Sequence, residues 1–191
     1  MKKVAIFGSG RGSNALSLLE YFDENPDVEV SLIVSNKKDT GILQHAYDYN
    51  IPSFVVDKYA MENEKRLSKV LQDEEIDYIV LAGFLWLIPE NIVKKYEGKI
   101  INIHPSLLPD FGGHGMYGMN VHNAVFNSGN KISGISIHEV NQNYDDGAII
   151  YQEECEISDC KSPQEVAAKI LELEHKNYPL VVDNWIKSKM S

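Results

Sequence analysis

The sequence predicts an α/β fold, an open, mostly parallel, twisted sheet of about seven strands with helices on both faces. Three observations predict it. Short β-branched runs alternate with amphipathic stretches along the whole chain, which is the rhythm of parallel strands joined by crossover helices. The first run empties into a glycine-rich turn, Gly8-Ser9-Gly10-Arg11-Gly12-Ser13-Asn14, and then a helical pattern. A later run, Ile100-Ile101-Asn102-Ile103-His104, stops at Pro105-Ser106-Leu107-Leu108-Pro109. Two polar side chains thus leave an apolar strand together, at the sheet edge where ligands bind in such folds.

In chain order, strands are expected at Val4 to Phe7, Val30 to Ser35, Ser53 to Val56, Tyr78 to Ala82, Ile100 to His104, Gly134 to Glu139 and Ile149 to Glu156. Each is a short β-branched or aromatic run. Ala15, Leu18, Leu19 and Phe22 recur at helical spacing after the first strand, and Leu67, Val70 and Leu71 do so in part before the fourth. The last helix has the clearest start. Ser162 caps it, Pro163 fits its first turn and Glu165 completes a capping box, and the helix is expected to run through Val166, Ile170 and Glu174 toward Trp185. No repeat, low-complexity segment or linker interrupts the pattern, so a single domain over residues 1–191 is expected.

With 191 residues, 43% hydrophobic and 24% charged, the chain has the material for one sizeable core. Its formal net charge of -10 argues against nucleic acid and anionic membranes as partners, because both draw affinity from basic residues. Cys155 and Cys160 are too few for a disulfide framework or a four-thiolate metal site and fit a reducing compartment. The apolar Val4-Ala5-Ile6-Phe7 after Met1-Lys2-Lys3 is too short for a signal peptide or membrane span, so a cytoplasmic, soluble protein is expected.

Alternation along the strand puts Asn102 and His104 on one face and Ile101 and Ile103 on the other. Pro105 and Pro109 cannot continue a ladder and force a stiff loop. The competing account is local: His104 bonding a backbone carbonyl and Asn102 capping a turn. The glycine turn presents backbone N–H groups and a helix dipole to an anion. It is neither a G-x-G-x-x-G fingerprint nor a P-loop, and Ser35-Asn36-Lys37-Lys38 stands where a ribose-binding acid would follow the second strand. Its hydroxyl and amide donors favour phosphate over a purely structural tight turn. A third constellation is Ser136-Ile137-His138-Glu139-Val140 followed by Asn141-Gln142-Asn143-Tyr144-Asp145-Asp146-Gly147. One of the adjacent acids is expected to face inward and the other to be solvated. An acid beside a histidine raises the imidazole pKa toward proton transfer near neutral pH, although taken alone this loop is better explained by an Asx turn closing on Gly147. His104, His114, His122 and His138 raise the question of a metal, but no H-E-x-x-H or C-x-x-C spacing occurs, and no metal is expected.

The glycine turn, Leu81-Ala82-Gly83-Phe84, Asn102-Ile103-His104-Pro105-Ser106-Leu107-Leu108-Pro109, Asp146-Gly147, and Leu173-Glu174-His175 with Tyr178-Pro179 resemble the phosphoribosylglycinamide formyltransferases, folate-dependent purine enzymes with a Rossmann-like fold. The resemblance runs nearly end to end, and Asn-x-His-Pro-Ser-Leu-Leu-Pro is specific to the formyltransferase superfamily. It implies transfer of a formyl group from 10-formyltetrahydrofolate, as co-substrate, to the amine of glycinamide ribonucleotide. It implies a catalytic set of Asn102, His104 and Asp145, and a substrate phosphate site of Gly10, Arg11, Gly12, Ser13 and Asn14. Glu174 then contacts the substrate ribose, and the folate pocket is walled by Leu85, Trp86, Leu87, Ile88, Val140, Asn141, Asn143 and Tyr144. A protonated His104 would join Asn102 in donating to the oxyanion. A monomer or homodimer is expected.

Two segments depart from the family pattern. Leu85-Trp86 replaces the common Met-Arg, which implies a more apolar pterin pocket. The stretch Phe111-Gly112-Gly113-His114-Gly115-Met116-Tyr117-Gly118-Met119 replaces a shorter Pro-Gly-x-His segment, so no role passes to His114, while His122 aligns with a helix residue beside the site. The rival readings are a formylfolate hydrolase, a formyltransferase acting on another amine and a nucleotide-binding sensor. The first two normally carry additional domains, which are not expected in a chain of this length.

Overall fold

The computed structural model describes residues 1–62 and 64–190, so the expected domain of residues 1–191 extends beyond the described residues only at positions 63 and 191. In chain order the elements are β1 (Lys2–Gly8), α1 (Ser13–Phe22), β2 (Val28–Ser35), α2 (Gly41–Asp48), β3 (Ser53–Val55), α3 (Lys58–Glu62), α4 (Glu64–Asp73), β4 (Tyr78–Leu81), α5 (Glu90–Lys95), β5 (Ile100–His104), α6 (Met119–Ser128), β6 (Ile132–Glu139), β7 (Ile149–Glu156) and α7 (Pro163–Lys189). Among the described residues the strands form one seven-stranded sheet in the order β3-β2-β1-β4-β5-β6-β7. The pairs from β3 to β5 are parallel, and β5–β6 and β6–β7 are antiparallel.

Strand alternation splits the core into two layers. Val4 and Ile6 of β1 join Val80, Ile101 and Ile103 against the buried face of α1 and α7, including Leu18, Leu19, Phe22, Ile170 and Val182. Ala5 and Phe7 join Ile79 and Ile100 on the other face, against Leu67 and Leu71 of α4 and Ile92 of α5. Strands covered on both sides read as continuous apolar runs, as β1 and β4 do. Each fully buried Leu, Ile or Phe contributes about 1.5–3 kcal/mol by leaving water.

The long α7 begins as its sequence requires. The Ser162 side chain accepts from the Glu165 backbone N–H, and Pro163 opens the first turn. The Glu165 carboxylate reaches back to the Lys161 N–H at 2.8 Å rather than to the cap residue, one position earlier than the expected capping box. Pro179 lies inside the helix, where it has no N–H to offer the carbonyl four residues before it. That carbonyl belongs to His175 and receives the Ser17 hydroxyl at 3.1 Å, which ties α7 to α1. Tyr178, fully buried, donates to the Leu81 carbonyl at 2.8 Å and anchors α7 at the end of β4.

The topology positions the ligand edge. From β1 the chain moves outward through β2 and β3, then returns to β4 on the other side of β1, creating a switch point where a crevice opens beyond the carboxyl ends of the strands. The loops after β1 and β4 are stitched together there. Ser9 N–H donates to the Gly83 carbonyl at 3.0 Å, and the Ser9 hydroxyl accepts from Leu85 N–H at 2.9 Å. No helix among the described residues is long and apolar enough to cross a membrane.

Candidate active site

Asn102 and His104 stand at the end of β5, with Ile101 and Ile103 buried in the opposite layer. The antiparallel neighbour β6 sets His138 opposite Asn102 and Ser136 opposite His104, so four polar side chains share one patch of sheet. A register shift between Ile137 and His138 in the β6–β7 pairing falls at this patch, as irregularities beside functional sites often do. Ser136 fixes the loop that follows β5. Its hydroxyl donates to the Ser106 carbonyl at 2.6 Å and accepts from Leu108 N–H at 2.8 Å and from Gln152 Nε2 at 2.8 Å.

The two histidines are oriented by carbonyls, which only accept. His138 Nδ1–H donates to the Glu139 carbonyl at 2.8 Å, and its Nε2 lies 3.1 Å from Asn102 Nδ2. In the neutral ring Nε2 is therefore the acceptor, and it turns the amide nitrogen of Asn102 toward itself. The second N–H of that amide is not used by this bond. His104 Nε2–H donates to the Phe111 carbonyl at 2.9 Å, leaving Nδ1 toward Asp145 Oδ2 at 3.4 Å. The other Asp145 oxygen is 3.6 Å from His138 Nε2, and Oδ2 also accepts Gly113 N–H at 2.9 Å. Asp145 adopts a left-handed backbone, φ 52°, which turns its side chain inward. Asp146 is exposed and accepts from Asn141 and Asn143. The expected division of labour between the two acids is what the loop contains.

Burial raises the Asp145 carboxyl, but the His138 and His104 rings, whenever they carry a proton toward it, and the Gly113 N–H outweigh it and hold the group below its usual range. His104 corrects the sequence expectation. The residue is 3% exposed, and desolvation pulls its pKa down more strongly than the Asp145 carboxylate and the Phe111 carbonyl pull it up. The resting imidazole is neutral near pH 7 rather than a standing cation. His122 of α6, 8% exposed, is lowered to about 4 by burial and by the neighbouring His104.

These groups open into one cavity of about 460 Å³. Asn102, His104, His138 and Asp145 line it, together with Asn14 and Glu174. Glu174, 8% exposed, accepts from Asn14 Nδ2 at 2.9 Å, and burial lifts its pKa to about 7 against that bond. Of the expected folate wall, Leu85, Trp86, Leu87, Ile88, Val140, Asn143 and Tyr144 line the cavity. Asn141 does not line it, its amide being turned to Asp146. Of the expected phosphate loop only Asn14 lines it, while Gly10, Arg11, Gly12 and Ser13 form the turn alongside. Gly12 caps α1 with φ 78° and offers no side-chain oxygen to the first-turn N–H groups. A Cβ there would lie 2.8 Å from the Ile42 Cα, so only glycine fits.

The profile of the formyl transferase family matches residues 2–182. The chain belongs to that family. Phosphoribosylglycinamide formyltransferase of Bacillus subtilis is 37% identical over 95% of this chain and 93% of its own length. The chloroplastic phosphoribosylglycinamide formyltransferase of Arabidopsis thaliana is 42% identical over 95% of this chain. The chain spans 64% of the length of that relative and 60% of the one from Vigna unguiculata. Among solved structures, the phosphoribosylglycinamide formyltransferase of Anaplasma phagocytophilum superposes with a TM-score of 0.85 at 37% identity, covering 94% of this chain and 84% of that one. The sequence resemblance and the fold agree.

Several residues of this formyl transferase cleft escape a reading of the sequence. His138 pairs with Asn102, and strand parity points to it: Ser136 and His138 alternate as Asn102 and His104 do, and only the register of β6 was missing. The segment from Gly113 to Gly118 lines the cavity, and its His114 ring meets the Tyr144 ring edge-on at 5.8 Å. The Phe111 carbonyl that orients His104 carries no side-chain signal at all. Among the described residues no group of three or more His, Cys, Asp or Glu side chains is arranged to hold a metal ion.

Proposed function

We propose that the chain, acting as one domain over residues 1–191, transfers the formyl group of 10-formyltetrahydrofolate to the amine of glycinamide ribonucleotide, giving formylglycinamide ribonucleotide and tetrahydrofolate in purine biosynthesis. The observation that carries this reading is the convergence of Asn102, His104 and Asp145 on one cavity, with Asn14 and Glu174 on its other wall. The names of the relatives support the choice of acceptor.

The substrate phosphate sits at the turn Gly10, Arg11, Gly12, Ser13 and Asn14, on the uncapped amino end of α1. Glu174 takes the ribose hydroxyls. The folate lies between Leu85 to Ile88 and the loop carrying Val140, Asn143 and Tyr144. The uncharged amine nitrogen attacks the formyl carbon, a C–N bond forms, and charge gathers on the former carbonyl oxygen. Asn102 donates its second amide N–H to that oxygen. Asp145, held ionised, takes the proton released by the attacking nitrogen, directly or through a water, and hands it to His104 Nδ1 at 3.4 Å, returning to the carboxylate. The proton then passes to the folate nitrogen as its bond to the formyl carbon breaks. His104 thus starts neutral and becomes the cation beside the oxyanion during the reaction. Two unpaired thiols, Cys155 and Cys160, fit a cytoplasmic setting.

The test is a transfer assay with purified protein, glycinamide ribonucleotide and 10-formyltetrahydrofolate, following the deformylated folate optically. Formation that stops when the amine is omitted supports the reading. Folate release that continues without the amine identifies a hydrolase instead.

A further inference from the structure

The mouth of the cavity is lined by apolar and aromatic side chains. Leu87, Tyr117 and Tyr144 line it and are 40%, 50% and 39% exposed. Trp86 lies beside them, half-buried, with its ring edge-on to Phe84 at 6.5 Å. Among the described lining residues the carboxyl groups are Asp145 and Glu174, both set deep in the cavity, the imidazoles are His104, His114, His122 and His138, and no lysine or arginine is present. On the adjoining helix Lys94 is paired with Glu90 at 2.6 Å. Glu90 also accepts from Gln142 of the loop that walls the cavity, at 3.2 Å. The chain as a whole carries a formal charge of -10.

Folates end in one or more linked glutamates, each adding a carboxylate. An anionic tail leaving this mouth meets ring faces and methyl groups but no lysine or arginine among the described lining residues, on a chain whose net negative charge repels it. Resting on the proposed folate reading of the cavity, we infer that the site selects its co-substrate through the ring system alone and discriminates little between short and long glutamate tails, with Trp86 as the residue that sets this indifference. The aryl ring between pterin and tail is held by stacking and apolar burial, which are insensitive to salt. The enzyme therefore uses whatever tail lengths are present.

The experiment compares KM for monoglutamyl and pentaglutamyl 10-formyltetrahydrofolate at about 20 mM and about 300 mM salt. The two KM values are expected to agree within about twofold at both salts. Trp86→Arg places a cation at the rim and should create a preference for the longer tail of up to about fivefold at low salt, fading at high salt. Leu87→Lys, at a more exposed position, should do the same with less disturbance of packing. A wild-type preference of about tenfold or more for the long tail, lost at high salt, would overturn the inference by revealing a cation recruited from elsewhere. Equal KM values in all three proteins would also overturn the role given to Trp86. No transfer with either tail would remove the folate reading itself, a result separate from any tail preference.

Discussion

Replacing Glu174 with Gln should stabilise the protein above pH 7 while weakening its hold on substrate. The carboxyl is 8% exposed and its pKa stands at about 7 against an ordinary 4.5. Because the folded pKa is raised, the folded state holds the proton more tightly than the unfolded chain does. The stability from this group is fully present below pH 4.5 and is lost as pH rises through about 7. At about 1.4 kcal/mol per pH unit, the difference between about 7 and 4.5 amounts to roughly 3 kcal/mol. Gln is the uncharged isostere and still accepts the Asn14 amide bond, so it removes the ionisation cost without opening a cavity. The assay is urea unfolding of both proteins at intervals from pH 4 to 8. The variant should match the wild type near pH 4.5 and exceed it by up to about 3 kcal/mol at pH 8, with KM for the ribonucleotide raised. A constant difference across the pH range would refute the claim that burial holds this carboxyl unionised.

A second buried titratable group in the cavity predicts the opposite slope. His122, lowered to about 4 from 6.5, contributes stability present above pH 6.5 and lost as pH falls toward 4. His122→Gln should flatten that acid limb by roughly 3 kcal/mol in the same titration. Gly12→Ala forces a left-handed alanine into the Ile42 backbone and should cost at least about 2 kcal/mol, measured by urea unfolding, with a higher KM for the phosphorylated substrate. Ser162→Ala removes the acceptor for the Glu165 N–H and should cost about 1 kcal/mol, read as a shift in the urea midpoint with unchanged turnover.

The seven strands were legible because each is a β-branched run bounded by turn residues, and the observed limits differ from those expected by two residues or fewer at any end. The start of α7 was legible because Ser162, Pro163 and Glu165 each act through local backbone geometry. The sequence does not single out the short helices α2, α3, α5 and α6: segments of five to ten residues give too few turns for a clear period. In the site, parity along one strand was enough to pair Asn102 with His104, but pairing Asn102 with His138 needed the antiparallel register of β6. The neutral state of resting His104 is hidden from the sequence for a related reason. A nearby acid is visible in a sequence, whereas the desolvation that outweighs it belongs to the assembled cavity. Asn141 went astray because its own neighbours Asn143 and Asp146 compete for it.

The central claim is that Asn102, His104 and Asp145 act together on the transferred formyl group. Single-turnover transfer by Asn102→Ala, His104→Ala and Asp145→Asn, each verified as folded by circular dichroism, tests it most directly. Each variant should lose about 10²- to 10⁴-fold in the rate of formyl transfer while still binding both substrates. A variant that transfers formyl at close to the wild-type rate would contradict the mechanism at that residue.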